Sequence, residues 1–239
     1  MNSARIYLIP TVIAGQTEHL VIPNQVLNAI KDLRYFLAED IRTARRYLSS
    51  LKVFGSIEAL TFETLDKNTK PESLPALFAP AMAGHAMGIL SESGCPGVAD
   101  PGALAVRYAH ENGIEVIPLV GPSSILLALM ASGLNGQRFA FNGYLPIQGR
   151  DTAAAIRAFE KESAANDQTQ IFIETPYRSD ALFQVLKKTL RDDTLLTLAI
   201  DVTGQQQEIK TFAVRQWKSQ NKKLPKIPVV FLFLARVSY

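Results

Sequence analysis

Residues 87–102 read MGILSESGCPGVADPG, and this stretch decides the fold because it joins a short apolar run to a long loop of turn residues. The run Met87–Leu90 has the length and composition of a buried strand, and Ala103–Asn112 has the apolar spacing of a helix. A strand, a glycine-rich loop and a helix in this order are typical of a parallel sheet, which binds ligands at the carboxyl ends of its strands.

The loop Ser91–Gly102 contains three glycines and two prolines in twelve residues. Glycine allows backbone N–H groups to approach a ligand closely, and proline fixes the shape of the loop. An ordinary connection rich in turn residues is the alternative interpretation. Connections between a strand and a helix usually have about 2–6 residues, so the length of this loop favours a function.

The first half of the chain alternates strands with helices. Strands are predicted at Ile6–Ile9, Arg34–Ala38, Met87–Leu90 and Ile114–Leu119. Helices are predicted at Val26–Ile30, at Ile41–Leu51 with Asp40 as N-cap, and at Ala103–Asn112 with Gly113 as C-cap. Such alternation indicates βαβ units and a parallel sheet with helices on both faces.

The second half begins with the same alternation and then changes. Helices are predicted at Ser123–Met130, Thr152–Ala165 and Ser179–Leu190, and strands at Phe139–Gly143 and Gln170–Glu174. Three further strands, with no helical pattern between the last two, are predicted to be antiparallel neighbours: Leu195–Val202, Ile209–Val214 and Val229–Leu234. The expected fold is therefore two α/β domains, residues 1–117 with a parallel sheet and residues 118–239 with a mixed sheet, and a ligand cleft between them.

Composition indicates a folded protein, since 47% of the 239 residues are apolar and 20% are charged. A net charge of +3 excludes a dedicated nucleic-acid-coating protein but leaves room for a local basic face. Cys95 is the only cysteine, so no intrachain disulfide forms. No signal peptide and no apolar run long enough for a membrane helix are recognisable, and the sequence predicts a cytoplasmic protein without membrane contact.

A second loop of the same type, VGPSS at residues 120–124, also follows a predicted strand and precedes a helix. Ser123 or Ser124 is either a helix cap or a hydroxyl donor to a small ligand. Neither loop contains a dinucleotide fingerprint or a phosphate loop, and the three histidines form no H-E-x-x-H pair. No metal site is expected, and Cys95 has no histidine nearby that would activate it as a nucleophile.

Six blocks in order carry a resemblance to a known family. They are IYLIPT (6–11), AEDIRTARRYL (38–48), LSESGCPGVADPG (90–102), LVGPSSILLALMASGL (119–134), RFAFNGYLP (138–146) and IFIETPYR (171–178). Together they resemble the tetrapyrrole methylase superfamily, and within it the ribosomal RNA small-subunit methyltransferase I branch. The resemblance implies a homodimer that holds S-adenosyl-L-methionine between two α/β domains. It also implies small ribosomal subunit RNA as partner, with a 2′-O-methylated cytidine of 16S ribosomal RNA as product.

The resemblance also implies which residues contact adenosylmethionine. The stretch SGCPG lies where the superfamily has its G-D-P loop, with Cys95 in place of the acidic residue. Ser123 and Ser124 match a Thr/Ser-Ala pair beside the methionine moiety. Glu174 matches the position where the second domain closes over the ligand. The implied cofactor-binding residues are Pro10, Gly94, Cys95, Pro96, Gly97, Val98, Ala99, Ser123, Ser124 and Glu174.

Asp40, Arg42 and Glu174 are the implied catalytic residues. Asp40 and Arg42 match an acidic-arginine pair that faces the cleft, and a ribose hydroxyl benefits from a general base, for which Asp40 and Glu174 are the candidates. A helix cap is the alternative for Asp40, and an ion pair with Arg178 is the alternative for Glu174. Arg42, Arg45 and Arg46 form a basic cluster that either binds RNA phosphates or is a solvated face.

The chain departs from the branch pattern in its second half. The stretch LAIDVTGQQQE (198–208) lies where the branch has A-R-E-L-T-K, so that Ile200 and Gly204 replace an arginine and a lysine. Fewer cations predict weak, salt-sensitive RNA binding. Two alternatives to RNA ribose methylation stay open: a methyltransferase of this fold with another acceptor, such as a tetrapyrrole or a protein, and an adenosylmethionine-binding protein without turnover.

Overall fold

The computed structural model describes residues 4–235. The chain divides into two compact units, Met1–Ser123 and Ser124–Tyr239. The predicted boundary between residues 117 and 118 falls inside the strand Glu115–Pro118. The loop after this strand stays with the first unit because the thiol of Cys95 lies 3.4 Å from the carbonyl oxygen of Pro122.

The first unit contains a five-stranded sheet in which every pair of neighbouring strands is parallel, as predicted. Its order is β3-β2-β4-β1-β5. The strands are β1 (Arg5–Ile9), β2 (Tyr35–Ala38), β3 (Thr61–Thr64), β4 (Met87–Leu90) and β5 (Glu115–Pro118). The edge strand β3 was not predicted, since its sequence TFET buries only Phe62 and has no apolar run.

The helices of the first unit are α1 (Glu18–Val21), α2 (Asn24–Ile30), α3 (Ile41–Ser50), α4 (Leu74–Leu77), α5 (Ala79–Met82) and α6 (Gly102–Glu111). A short 3-10 helix, Pro71–Ser73, precedes α4. The predicted N-cap of α3 is confirmed, since Oδ1 of Asp40 accepts a 2.7 Å hydrogen bond from the N–H of Thr43. The predicted C-cap of α6 is wrong by one residue: Asn112 is the C-cap, and Gly113 follows it with a φ of 67°.

The second unit contains a mixed five-stranded sheet, as predicted, in the order β6-β7-β10-β8-β9. The strands are β6 (Phe139–Tyr144), β7 (Thr169–Glu174), β8 (Leu195–Ile200), β9 (Glu208–Ala213) and β10 (Val229–Leu234). Strands β6 and β7 are parallel, and β8 pairs antiparallel with both β9 and β10, as expected. The last strand lies between β7 and β8, which gives its side chains neighbours on both edges.

The helices of the second unit are α7 (Ser124–Ser132), α8 (Gly149–Asn166), α9 (Ser179–Thr189) and α10 (Val214–Lys218). The prediction of no helix between β9 and β10 was wrong. Helix α10 has only five residues, too few to show a helical period. Its Trp217 is 1% exposed and donates a 2.8 Å hydrogen bond from Nε1 to the carbonyl oxygen of Leu196.

Buried aliphatic and aromatic side chains form separate cores on the faces of each sheet. In the second unit Phe172 and Phe231 lie on neighbouring strands with parallel rings 5.8 Å apart. In the first unit all four residues of β4 are buried, as expected for a central strand of a parallel sheet. In the described residues no helix is long and apolar enough to cross a membrane.

Gly88→Ala is expected to lower the free energy of unfolding by about 1–3 kcal/mol. A Cβ at this position would lie 2.5 Å from Cδ1 of Ile9 and 2.8 Å from Cδ1 of Phe36, both of them buried. Urea denaturation measures the effect. The matched control is Gly55→Ala, because a Cβ there meets no atom within 4 Å. Equal stability of the two variants would contradict the close packing of β4.

Candidate functional site

The carboxyl ends of three adjacent strands, β4, β1 and β5, meet in the first unit. Strand β1 is followed by Pro10 and Thr11, β4 by the loop Ser91–Pro101, and β5 by Leu119–Ser123. Open parallel sheets bind their ligands at this edge. The two glycine-rich loops singled out in the sequence therefore belong to one site.

The carbonyl oxygen of Gly94 joins two of these strand ends. It accepts hydrogen bonds from the N–H of Thr11 at 2.9 Å and from Oγ of Ser91 at 3.1 Å. Gly94 has a φ of 77°, a conformation that favours glycine, and a Cβ there would lie 3.3 Å from the carbonyl oxygen of Pro122. A glycine at this position lets the three loops pack closely.

Gly121 brings the third loop against the first. A Cβ on Gly121 would lie 2.0 Å from Cβ of Pro10, so no other residue fits without displacing a loop. Pro10 is itself held by Tyr47, whose hydroxyl donates a 2.7 Å hydrogen bond to its carbonyl oxygen. Burial raises the pKa of Tyr47, so its hydroxyl remains protonated and is able to donate. Helix α3 is thereby fixed to the edge of the sheet.

Cys95 is half-buried in the same loop. Its thiol lies 3.4 Å from the carbonyl oxygen of Pro122. Burial, with a further contribution from the carboxylate of Asp100, raises the pKa of the Cys95 thiol. A thiol with a raised pKa is a poor nucleophile at neutral pH, so this environment suits a packing role.

The second half of the loop folds around the carboxylate of Asp100. Oδ1 of Asp100 accepts hydrogen bonds from the N–H groups of Gly97 at 2.5 Å and Gly102 at 2.8 Å. Burial raises the pKa of Asp100, although these two hydrogen bonds oppose the change. The N–H of Gly97, part of the backbone predicted to line a ligand, is engaged inside the loop, whereas the side chains of Val98 and Ala99 are exposed.

Asp40 and Arg42 lie at the carboxyl end of β2, next to β4 in the sheet. The N–H of Thr43 lowers the pKa of Asp40, which stays ionised across the neutral range. Arg42, Arg45 and Arg46 are exposed on α3, with the guanidinium of Arg45 5.1 Å from the ring centroid of Phe62.

Partial burial, together with the charges of Asp40 and Glu39, raises the pKa of Glu92 in the neighbouring loop. This edge therefore carries a group of carboxylates beside the arginines.

In the second unit Glu174 ends β7, and its side chain is fully buried. Its Oε1 accepts a 2.7 Å hydrogen bond from the N–H of Thr175, and its Oε2 lies 2.6 Å from Nη2 of Arg178. The geometry around Oε2 is that of an ion pair without an aligned hydrogen bond. The ion pair considered as the alternative for Glu174 is therefore present.

The turn after β8 differs in shape from an extended strand end. Asp201 and Thr203 have φ angles of 49° and 70°. A Cβ on Gly204 would lie 2.2 Å from the carboxylate of Asp201, whose Oδ2 accepts a 2.8 Å hydrogen bond from the N–H of Gln206. Any side chain at position 204, lysine included, would displace Asp201.

Sequence reasoning missed several residues that hold the site together. Gly121, Tyr47 and Asp100 all lie in the recognised blocks. Gly121 and Tyr47 contact Pro10, which is far from both along the chain, so no local pattern shows these contacts. Asp100 binds Gly97 and Gly102 within its own loop. For example, Tyr47 bonds to Pro10 across a separation of 37 residues. Among residues 4–235 no group of three or more potential metal ligands comes together.

Comparison with solved structures defines the fold class. The chain superposes on the methyltransferase CobJ with a TM-score of 0.61 at 18% identity, covering 96% of this chain and 94% of that chain. It superposes on uroporphyrin-III C-methyltransferase of Thermus thermophilus with a TM-score of 0.53 at 18% identity. This match covers 97% of this chain and 92% of that chain. At these identities the likeness establishes the tetrapyrrole methylase fold.

Comparison with curated proteins shows which proteins the chain resembles in sequence. The chain is 30% identical over 202 residues to ribosomal RNA small subunit methyltransferase I of Escherichia coli O157:H7, covering 84% of this chain and 66% of the relative. It is 31% identical over 197 residues to the protein of the same name from Halalkalibacterium halodurans. This match covers 82% of this chain and 61% of the relative. No family model matches the chain.

The chain has the tetrapyrrole methylase fold, and its sequence is similar to that of the ribosomal RNA small subunit methyltransferase I proteins. It spans slightly less than two thirds of the length of the Escherichia coli and Vibrio cholerae relatives, 66% and 65%. The resemblance of its six sequence blocks is thereby confirmed.

Proposed function

We propose that this protein is an S-adenosyl-L-methionine-dependent methyltransferase that methylates a ribose 2′-hydroxyl of small-subunit ribosomal RNA. The observation that carries the proposal is the joining of the Pro10, Gly94 and Gly121 loops at the carboxyl edge of the first sheet. The names of the relatives support both methyl transfer and the RNA acceptor.

The chemistry of this edge fits adenosylmethionine. Closely packed glycine loops accommodate a flat adenosine against backbone, and the neighbouring carboxylates of Glu39, Asp40 and Glu92 offer negative charge to a sulfonium cation. The proposed cofactor-binding residues are Pro10, Gly94, Cys95, Pro96, Gly97, Val98, Ala99, Ser123, Ser124 and Glu174. The ligand cleft predicted between the two domains stays a prediction.

Bound adenosylmethionine supplies an electrophilic methyl group, so the residues of the chain have to align the acceptor and exclude water. We assign Asp40 as the group that takes the proton of the acceptor hydroxyl, because its carboxylate is exposed and ionised at neutral pH. Arg42, two residues further on, is assigned to the acceptor phosphate. The buried ion pair of Glu174 with Arg178 makes Glu174 a positioning residue in this proposal.

The cations of α3 are proposed to bind the RNA backbone. Replacing Arg42, Arg45 and Arg46 together with glutamine is expected to weaken RNA binding. The plot of log affinity against log salt is expected to become less steep by about 2, because each lost phosphate contact to single-stranded RNA removes about 0.7 from the magnitude of its slope. Fluorescence anisotropy with a labelled RNA at several salt concentrations measures the slope.

The matched control removes three exposed cations of the second unit, Arg157, Lys161 and Lys188, in the same way. This control is expected to leave the slope nearly unchanged. An equal change of slope in both triple variants would show that the effect is one of net charge and not of a site on α3.

The homodimer and the cytoplasmic location implied by the branch stay predictions. A dimer is expected to sediment at roughly twice the 26.3 kDa mass of the chain. Analytical ultracentrifugation at micromolar protein measures this mass, and sedimentation as a monomer over the whole concentration range would contradict it.

The direct test of the proposed function is methyl transfer from labelled adenosylmethionine to undermethylated small ribosomal subunits, followed by mapping of the modified nucleotide. Label in the ribose of a small-subunit nucleotide is expected. Label that enters only tetrapyrrole or protein would assign another acceptor, and ligand binding without any transfer would assign a binding protein.

A further inference from the structure

Tyr177 is the most exposed large apolar or aromatic side chain of the described residues, at 82%. It lies between the end of β7 and the start of α9. Nζ of Lys226 lies 6.0 Å from the centroid of its ring, within the range of a cation–π contact. An exposed ring beside a cation is the arrangement with which proteins hold unpaired bases next to phosphates.

The loop that carries Lys226 is fixed to this edge of the sheet from two sides. The N–H of Leu224 donates a 2.8 Å hydrogen bond to Oδ1 of Asp180 at the start of α9. The carbonyl oxygen of Pro228 accepts a 3.0 Å hydrogen bond from the N–H of Asp201, directly after β8. The loop therefore lies between the ends of β7 and β8, beside the two positions where the branch has its arginine and lysine.

The carboxylates around this loop have partners, whereas two lysines of the loop form no ion pair with a carboxylate of the described residues. Glu174 pairs with Arg178, and Glu208 pairs with Lys222 and with Lys210. The carboxylates of Asp180 and Asp201 accept backbone N–H groups. Lys223 and Lys226 form no ion pair with any carboxylate of residues 4–235, and both are exposed.

We propose that Tyr177, Lys223 and Lys226 form an RNA-binding surface, in which an unpaired base stacks on the ring of Tyr177 and the two lysines contact its phosphates. This inference rests on the RNA acceptor of the proposed function. The surface takes the place of the cations that are missing at Ile200 and Gly204. A lysine at position 204 would have to displace the carboxylate of Asp201, which would lie 2.2 Å from its Cβ.

The test measures binding of the full chain to a fluorescein-labelled single-stranded RNA of about 12 nucleotides, a typical site size for such surfaces. It is done without adenosylmethionine. Tyr177→Ala is expected to weaken binding about 5- to 150-fold, the loss that follows from removing one stacked base. Tyr177→Phe keeps the ring and is expected to bind like the unchanged protein.

Lys223→Ala with Lys226→Ala is expected to weaken binding and to reduce the slope of log affinity against log salt by about 0.7 for each lysine. Lys188→Ala is the matched control, since Lys188 is exposed in the last turn of α9, away from its start at Ser179. The melting temperature of every variant is measured to establish that it is folded.

Unchanged affinity in Tyr177→Ala and in the double lysine variant, with binding by the original protein, would overturn this inference and leave the proposed methyl transfer intact. Failure of the original protein to bind the RNA would overturn it as well. Loss of binding in the variants supports the surface even where the original protein methylates no RNA, and in that case the proposed function alone fails.

Discussion

Replacing Gly94 with valine is expected to abolish the rise in melting temperature that adenosylmethionine gives the original protein. Gly94 has a φ of 77°, where a β-branched residue is strained, and its Cβ would press on the carbonyl oxygen of Pro122 at 3.3 Å. The strain displaces the loop that joins β4 to Thr11. A displacement of about 1 Å in a positioning group costs on the order of 100-fold in rate, so methyl transfer is expected to fall at least that much.

Thermal unfolding with and without ligand measures this effect. At a ligand concentration of about 100 times Kd, binding stabilises the folded state by about 2.7 kcal/mol. Gly55→Val is the matched control in the same unit, because a Cβ there meets no atom within 4 Å. A Gly94→Val protein that is folded and still shows the full ligand shift would show that this loop does not form the cofactor site.

Asp40→Asn is expected to reduce the rate of methyl transfer by about 100- to 10,000-fold, the usual contribution of a general base. Asparagine caps a helix about as well as aspartate, so the start of α3 stays intact and the melting temperature is expected to change little. The substitution therefore separates the two roles that the sequence left open for Asp40. Single-turnover kinetics with saturating adenosylmethionine measures the rate.

The pH dependence of the original protein gives a second measure of the same role. Because the N–H of Thr43 lowers the pKa of Asp40, the carboxylate stays ionised as the pH falls from neutral. The rate is expected to decline only in the acid range, below the usual pKa of an aspartate. Asp40→Ala removes cap and base together and serves as the comparison. A full rate in Asp40→Asn would show that Asp40 is a helix cap only.

The architecture was predictable because its patterns are local. The buried run Met87–Leu90 and the loop after it indicated a parallel sheet, and the strands after Leu195 indicated an antiparallel part, as the structure shows. Strand β3 was missed because its sequence TFET has no apolar run, and helix α10 was missed because five residues are too few for a helical period to appear. Their places are set by pairing with β2 and by the burial of Trp217.

The candidate site was predictable as a set of loops but not as a set of contacts. The sequence indicated Gly94 and the loop 120–124, and the structure brings them together at the carbonyl oxygen of Pro122. The dependence of Gly121 on Pro10 was not predictable, since it arises from the neighbouring positions of β1 and β5 in the sheet. The closed environment of Gly204 was not predictable for a different reason: it comes from the positive φ angles of Asp201 and Thr203, which the residue types do not indicate.

The most direct test of the central claim is transfer of labelled methyl from adenosylmethionine to undermethylated small ribosomal subunits, with the modified nucleotide mapped afterwards. Label is expected on a ribose 2′-hydroxyl of the small-subunit RNA, and this label is expected to be lost in Gly94→Val and strongly reduced in Asp40→Asn. Absence of label from all RNA, with the original protein folded and adenosylmethionine present in excess, would contradict it.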